Sequence, residues 1–340
     1  MAFEKISLRG ILALPFLLSA APAFAQLTPG SMDVHWDEGA PDCATYAGPP
    51  LQVHRYNDRT VILRENLCAT FEAPFIYLLM GSARALLIDT GDVADPARMP
   101  LAKTVMSLLP LNGPDRIPLL VVHTHRHLDH RAGDPQFLNL PRVQVVGFDL
   151  NSVRRYYSFG DWPKSPRPID LGGRVIDAIP TPGHNETEVS FYDRETGLFF
   201  SGDFLMPARL LIDDKVAYLA SARRVSAFLA LRPVSYVLGG HIEMDSQSRT
   251  FQWESQYHPH EHVLQMKKDD LSALPAAISE FNGFYTESGG FVLMNPSRIL
   301  VGLAILSGMI LIGMGWITIS YLRRRRTRRT ANDIKELPHK

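Results

Sequence analysis

Four side chains able to hold a metal ion fall within six residues in the stretch HTHRHLDH, residues 123–130: His125, His127, Asp129 and His130. The apolar run IPLLVV leads directly into them, and such a run ending in polar residues reads as a buried strand with its tip exposed. On an extended chain, residues two apart share a face, so His125 and His127 are expected to project together. Asp129 and His130 follow where the chain leaves the strand and can serve a second point nearby. Imidazole and carboxylate donors suit zinc, with iron and manganese as alternatives.

Three more donors occur in the same context. His184 follows VIDAIPTPG, Asp203 follows GLFFSG and His241 follows VSYVLGG. Each has glycine within two positions before it, which lets the backbone turn sharply and approach a centre closely. In α/β sheets, ligands collect beyond the carboxyl ends of strands. Four strand tips are therefore expected to meet in one crevice.

The elements that must position these tips alternate along the chain. Strand-like runs LQVHRY, TVILRE, FIYLLMG and RALLID come first, with a hairpin turn at Gly81-Ser82. Residues 96–109 have helical spacing, then come the strand IPLLVVHT, the strand VQVVGF and a helix in DLNSVRRYY. The second half repeats the theme with RVIDAIP, EVSFYD, GLFFSGD, the helical YLASARRVSAFLALR and the strand VSYVLGGH. Residues 261–281 read as helical with a break near Pro275. Two hairpin-rich halves with interspersed helices predict an α/β layered domain.

The motifs LLIDTGD, HTHRHLDH, TPGH, SGD and GGH, in that order, resemble the metallo-β-lactamase superfamily of hydrolases across residues 50 to 245. The resemblance implies a four-layer αββα sandwich with two divalent metal ions in the crevice between the sheets. It implies that His125, His127 and His184 hold one metal, that Asp129, His130 and His241 hold the other, and that Asp203 bridges them. Asp89 is implied to orient the site without binding metal. A histidine at position 127 is unlike the flavodiiron members, and an aspartate at position 203 resembles the glyoxalase II-like and lactonase-like branch. The implied chemistry is attack by a metal-bridging hydroxide on a small ester, thioester or lactone carbonyl, with Asp129 and Asp203 as the catalytic carboxylates. Two divalent ions, two aspartates and one hydroxide leave about one positive charge, which favours an anionic substrate. The alternatives are a metal-stabilised, non-catalytic scaffold and a mononuclear iron enzyme similar to the sulfur dioxygenases of this fold.

The 340-residue chain has a formal net charge of zero, but its ends are basic. Residues 26–322 carry 25 basic and 32 acidic residues, a net of −7, which disfavours nucleic acid as a partner. Residues 1–25 read as a secretory signal peptide ending at Ala23-Phe24-Ala25. Residues 299–322 carry no charge for 24 positions, enough to span a bilayer. The run RRRRTRR follows, which places residues 323–340 as a cytoplasmic basic tail and the folded domain on the periplasmic or extracellular side. Between these lie an irregular lead-in at 26–50, the domain at 51–282 and a linker at 283–298. In such a compartment Cys43 and Cys68 are expected to pair. His258 and His260, in YHPHEH, are candidate substrate-binding residues, whereas His123 reads as a packed histidine behind the site.

Overall fold

The computed structural model describes residues 26–335, with side-chain environments through residue 325. The expected signal peptide lies outside the described residues. Strands β1 (Leu51–Asn57), β2 (Thr60–Glu65), β3 (Phe75–Met80) and β4 (Ala85–Ile88) form an antiparallel meander. Helix α1 (Leu101–Leu108) and a small hairpin, β5 (Leu111–Asn112) and β6 (Asp115–Arg116), lead to β7 (Leu119–Val122) and β8 (Val143–Val145). Both of these strands add in parallel, completing a six-stranded sheet.

After helix α2 (Leu150–Tyr156), strands β9 (Arg167–Asp170), β10 (Val175–Pro180), β11 (Val189–Asp193) and β12 (Leu198–Gly202) build a second antiparallel run. Strand β13 (Arg209–Leu211) and helix α3 (Lys215–Leu229) precede β14 (Tyr236–Gly239), which pairs in parallel with β12. Strand β15 (Gln265–Met266) caps this second six-stranded sheet. Helix α4 (Lys268–Glu280), strands β16 (Tyr285–Ser288) and β17 (Phe291–Met294) and helix α5 (Pro296–Lys335) finish the chain.

One apolar cluster joins Tyr77, Ile88 and Val122 of the first sheet to Ile176, Phe191 and Phe200 of the second. A second joins the outer face of the first sheet to Val105 of α1, and a third joins the second sheet to Val225 of α3 and Leu274 of α4. Strands β2, β3, β4 and β7 are buried along their whole length. Covered on both faces, β3, β4 and β7 read as continuous apolar runs instead of alternating ones, while β2 ends in the buried Arg64 and Glu65.

The parallel pairs decide where the site forms. In β4 and β7, Ile88 stands opposite Val122, so Asp89 and the residues after Val122 emerge side by side. In β12 and β14, Gly202 stands opposite Gly239, so Asp203 and His241 leave the second sheet together.

Three expectations change. Strand β7 ends at Val122, so His125 and His127 lie beyond the strand in an irregular loop, and the alternation of an extended chain is not what pairs them. Pro275 sits inside α4 without breaking it, and residues 261–264 before the helix are irregular. The expected linker at 283–298 is instead folded: β17 pairs with both β16 and β13, and Phe291, Val292 and Leu293 are buried. Asn295 Nδ2 then donates to Ile212 O at 2.6 Å, and α5 starts at the next residue. The lead-in is irregular but packed, with Trp36 buried edge-on against Phe75 at 4.9 Å.

The Pro296–Arg325 part of α5 is long and apolar enough to cross a membrane, and no residue of its most apolar stretch is buried. Cys43 and Cys68 form a disulfide that ties the lead-in to the β2–β3 connection across a separation of 25 residues. Closing a loop of that size removes about 3–4 kcal/mol of unfolded-state entropy in the chain-entropy model. The double substitution Cys43→Ala, Cys68→Ala should lower the unfolding free energy by roughly 2–4 kcal/mol. Denaturant titration of both proteins checks this, and an unchanged midpoint would count against it.

Candidate metal centre

The seven donors converge. His125 Nε2 lies 2.9 Å from His127 Nδ1, and His184 Nε2 lies 3.1 Å from the same atom. Nearby, His130 Nε2 is 3.1 Å from Asp129 Oδ2 and 3.3 Å from His241 Nε2, and His241 Nε2 is 3.3 Å from Asp129 Oδ2. Donors held about 2.0–2.2 Å from one ion in tetrahedral or octahedral array stand roughly 2.9–3.5 Å apart, so these spacings fit an ion in each group.

Asp203 faces both groups. Its Oδ1 is 3.4 Å from His130 Nε2 and 3.6 Å from His241 Nε2, and its Oδ2 is 3.6 Å from His184 Nε2. Oδ1 is buried without a hydrogen-bond partner. A buried carboxylate oxygen left in that state is costly unless a cation satisfies it.

The outward nitrogens are tied down. His184 Nδ1 is 3.1 Å from Leu211 O, and His241 Nδ1 is 2.7 Å from Glu72 O. His130 Nδ1 is 3.0 Å from Asp89 Oδ2, while Asp89 also accepts from Thr124 N at 2.7 Å and Thr124 Oγ1 at 2.9 Å. A carbonyl or carboxylate on one ring nitrogen fixes the tautomer and aims the other inward. Asp89 adopts φ of +67°, a region that aspartate and asparagine tolerate better than most residues.

Glycine is required where backbones crowd the centre. A Cβ on Gly240 would lie 2.5 Å from Asp203 Oδ1 and 2.9 Å from His130 Cε1. Gly202 has φ of +55°, and a Cβ there would meet the Thr124 side chain at 2.7 Å.

The electrostatics call for cations. Burial pushes Asp129 and Asp203 upward, but the facing His130 and His241 outweigh it and hold both carboxyls well below the ordinary range. Burial likewise opposes protonation of His130, yet Asp129, Asp203 and Asp89 raise it well above its ordinary value. Burial is also outweighed at His241, which Asp203 and Asp129 push up to about 10. His125 is driven well below its ordinary value by burial and then by His130, and His127 is lowered by burial and His184. Without a metal, imidazolium supplies the positive charge that the carboxylates demand.

The donors open onto a cleft whose wall includes Phe71, Glu72, Arg209, Phe251, Trp253 and His258. Arg209 pairs with Glu243 at 3.1 Å and lies 5.5 Å from the Trp253 ring centroid. His258 therefore stands in the cleft wall, whereas His260 is exposed and outside it, contrary to expectation. His123 is buried and pairs with Asp134 at 2.8 Å, behind the site. The sequence alone did not single out Thr124, Asn185, whose Nδ2 lies 3.0 Å from His127 Nε2, or Arg209. Thr124 and Asn185 adjoin the candidate donors and could have been found by position, while Arg209 follows no motif.

Residues 69–255 match the family described as the metallo-beta-lactamase superfamily. The chain belongs to this superfamily. It is 25% identical over 214 residues to acyl-coenzyme A thioesterase MBLAC2 of Gallus gallus, covering 54% of this chain and 77% of that protein. It is 30% identical over 132 residues to hydroxyacylglutathione hydrolase of Synechococcus sp. (strain JA-2-3B'a(2-13)), covering 38% of this chain and 48% of that protein. Among solved structures, a metallo-beta-lactamase from Pontibacter korlensis aligns at 16% identity and a TM-score of 0.46, covering 68% of this chain and all of that one. As a superfamily member, the chain has hydrolases for relatives and His/Asp clusters that could hold metal.

Asp89→Asn keeps a residue that tolerates the positive φ but replaces the carboxylate facing His130, so metal affinity should fall about 10–100-fold, as read by competition with a chromophoric chelator. Metal-free His241 holds its proton up to about pH 10 and must lose it to bind. Metal uptake at neutral pH should therefore release protons, and affinity should rise with pH toward that value. Calorimetry in buffers of different ionisation enthalpy measures the release; a proton count of zero would contradict the charge assignment.

Proposed function

We propose that this protein is a membrane-anchored, metal-dependent hydrolase of small ester, thioester or lactone carbonyls. The observation that carries the reading is Asp203, whose two carboxylate oxygens are turned toward two separate donor groups. In this reading His125, His127 and His184 hold one divalent ion, Asp129, His130 and His241 hold a second, and Asp203 serves both. Such ions, zinc by preference, would make water nucleophilic near neutral pH and polarise a carbonyl oxygen.

The chain's own residues do the rest. Asp89 and Thr124 fix the His130 ring, Leu211 O fixes His184 and Glu72 O fixes His241. Phe71, Phe251 and Trp253 offer apolar surface for an acyl group. Glu72, Glu243 and Glu254 in the same wall outnumber Arg209, so attraction for an anion is confined to the metal end. That balance favours a compact acyl substrate over a polyanionic one. Relatives named as a thioesterase and as a hydroxyacylglutathione hydrolase support acyl transfer to water.

The two sheets with their helix coverings support the four-layer αββα arrangement. The folded unit in this reading runs from the lead-in through β17, wider than 51–282. Residues 1–25 act as a signal peptide, α5 crosses the membrane once, and the arginine-rich tail stays in the cytoplasm.

The test uses the full chain in detergent. Two metal ions per chain and chelator-sensitive turnover on an ester, thioester and lactone panel are expected, and Asp203→Asn should abolish turnover. A full metal complement with no turnover on any panel would overturn the hydrolase reading, and one iron per chain would favour dioxygenase chemistry.

A further inference from the structure

The cleft contains a histidine unit that the metal-facing donors do not use. His258 is 4% exposed and shares the cleft wall with Asp129, Asp203 and His241. Its Nδ1 lies 3.0 Å from Glu261 Oε1. Glu261 is gripped by Arg64 through Nη1 to Oε2 at 2.6 Å and Nη2 to Oε1 at 2.7 Å, with side chains 2% and 4% exposed. Arg64 is itself fixed, donating to Asp37 O at 3.2 Å with its guanidinium 4.9 Å from the Phe75 ring centroid. Phe251 stacks on the His258 ring at 4.1 Å, the planes 6° apart.

The ring is thus held by one edge and one face. The carboxylate on Nδ1 keeps a proton there, so Nε2 is the position that exchanges. Among the described residues nothing hydrogen-bonds Nε2, and it is not one of the polar atoms sealed off without a partner. The residue is almost wholly buried and lines the cleft. An Arg64–Glu261 pair needs no histidine for its two hydrogen bonds. A third group on that pair, with one ring nitrogen free of hydrogen bonds in the wall of the metal-site cleft, is the arrangement of an oriented acid or base.

We propose that His258 donates the proton to the leaving group, with Glu261 and Arg64 as positioning residues; the proposal rests on the hydrolase reading. Water adds its oxygen to the carbonyl carbon. The bond from that carbon to the leaving oxygen breaks, its electron pair goes to that oxygen, and the oxygen takes the proton from His258 Nε2. One proton of the attacking water returns to His258 through solvent and the other is released. Ester and water become carboxylate, alcohol and one proton.

An alkoxide is a poor leaving group without a proton, whereas p-nitrophenolate departs unaided. The experiment compares an alkyl ester and a p-nitrophenyl ester of one short acyl group, using the full chain in detergent as wild type, His258→Gln and Glu261→Gln. His258→Gln should lose about 10²–10⁴-fold in kcat on the alkyl ester, remain within about tenfold on the p-nitrophenyl ester and keep its metal content. Glu261→Gln should show a smaller loss on the alkyl ester with a displaced pH profile. Equal losses on both esters, or none on the alkyl ester, overturn the assignment. A wild type that cleaves neither ester overturns this inference, while the hydrolase reading is decided by the wider ester, thioester and lactone panel.

Discussion

Two ionised carboxylates, Asp129 and Asp203, lie among five imidazoles at the ends of buried strands, and this charge cluster constrains everything around it. Carboxylates removed from water require compensating charge at contact distance. His130 and His241 provide it as imidazolium in the metal-free protein. Divalent ions would provide it more strongly and return those rings to the neutral form. The orphaned Oδ1 of Asp203 marks where that exchange matters most.

The fold meets this constraint with two parallel strand pairs. Ordinary meanders in both sheets would send neighbouring strand ends in opposite directions. The β4–β7 and β12–β14 pairs instead bring Asp89 beside the histidine loop and Asp203 beside His241. Gly202 and Gly240 then let those segments approach until a single methyl group would collide. The small third sheet extends the support. Its strand β13 carries Leu211, whose carbonyl holds His184, and its partner β17 leads through Asn295 into α5. The apolar helix is therefore joined to the site's scaffold by a sheet pairing, with no slack linker between them.

Much of the centre was legible because ligand chemistry restricts residue type. Few side chains other than histidine and aspartate can serve, and their positions after apolar runs name the strands that carry them. His258 was harder to weigh, since a histidine in a polar loop is usually bland. Its carboxylate partner Glu261 is only three residues away, but Arg64, which fixes that carboxylate, lies on β2, 197 residues from Glu261. The glycines of the folded segment at 285–294 suggest a loop, and the partner that makes β17 a strand, β13, lies far upstream.

The sequence by itself determined the seven donors, their order, the apolar strands that deliver them and one apolar segment long enough to cross a membrane. These depend on residue type and short-range pattern, which are local. Only the tertiary structure decided that Asp203 faces both donor groups, that Asp89 grips His130, that His258 and not His260 enters the cleft, and that β17 docks on β13. Each of these depends on strand register and on contacts between distant segments, and no local pattern encodes them.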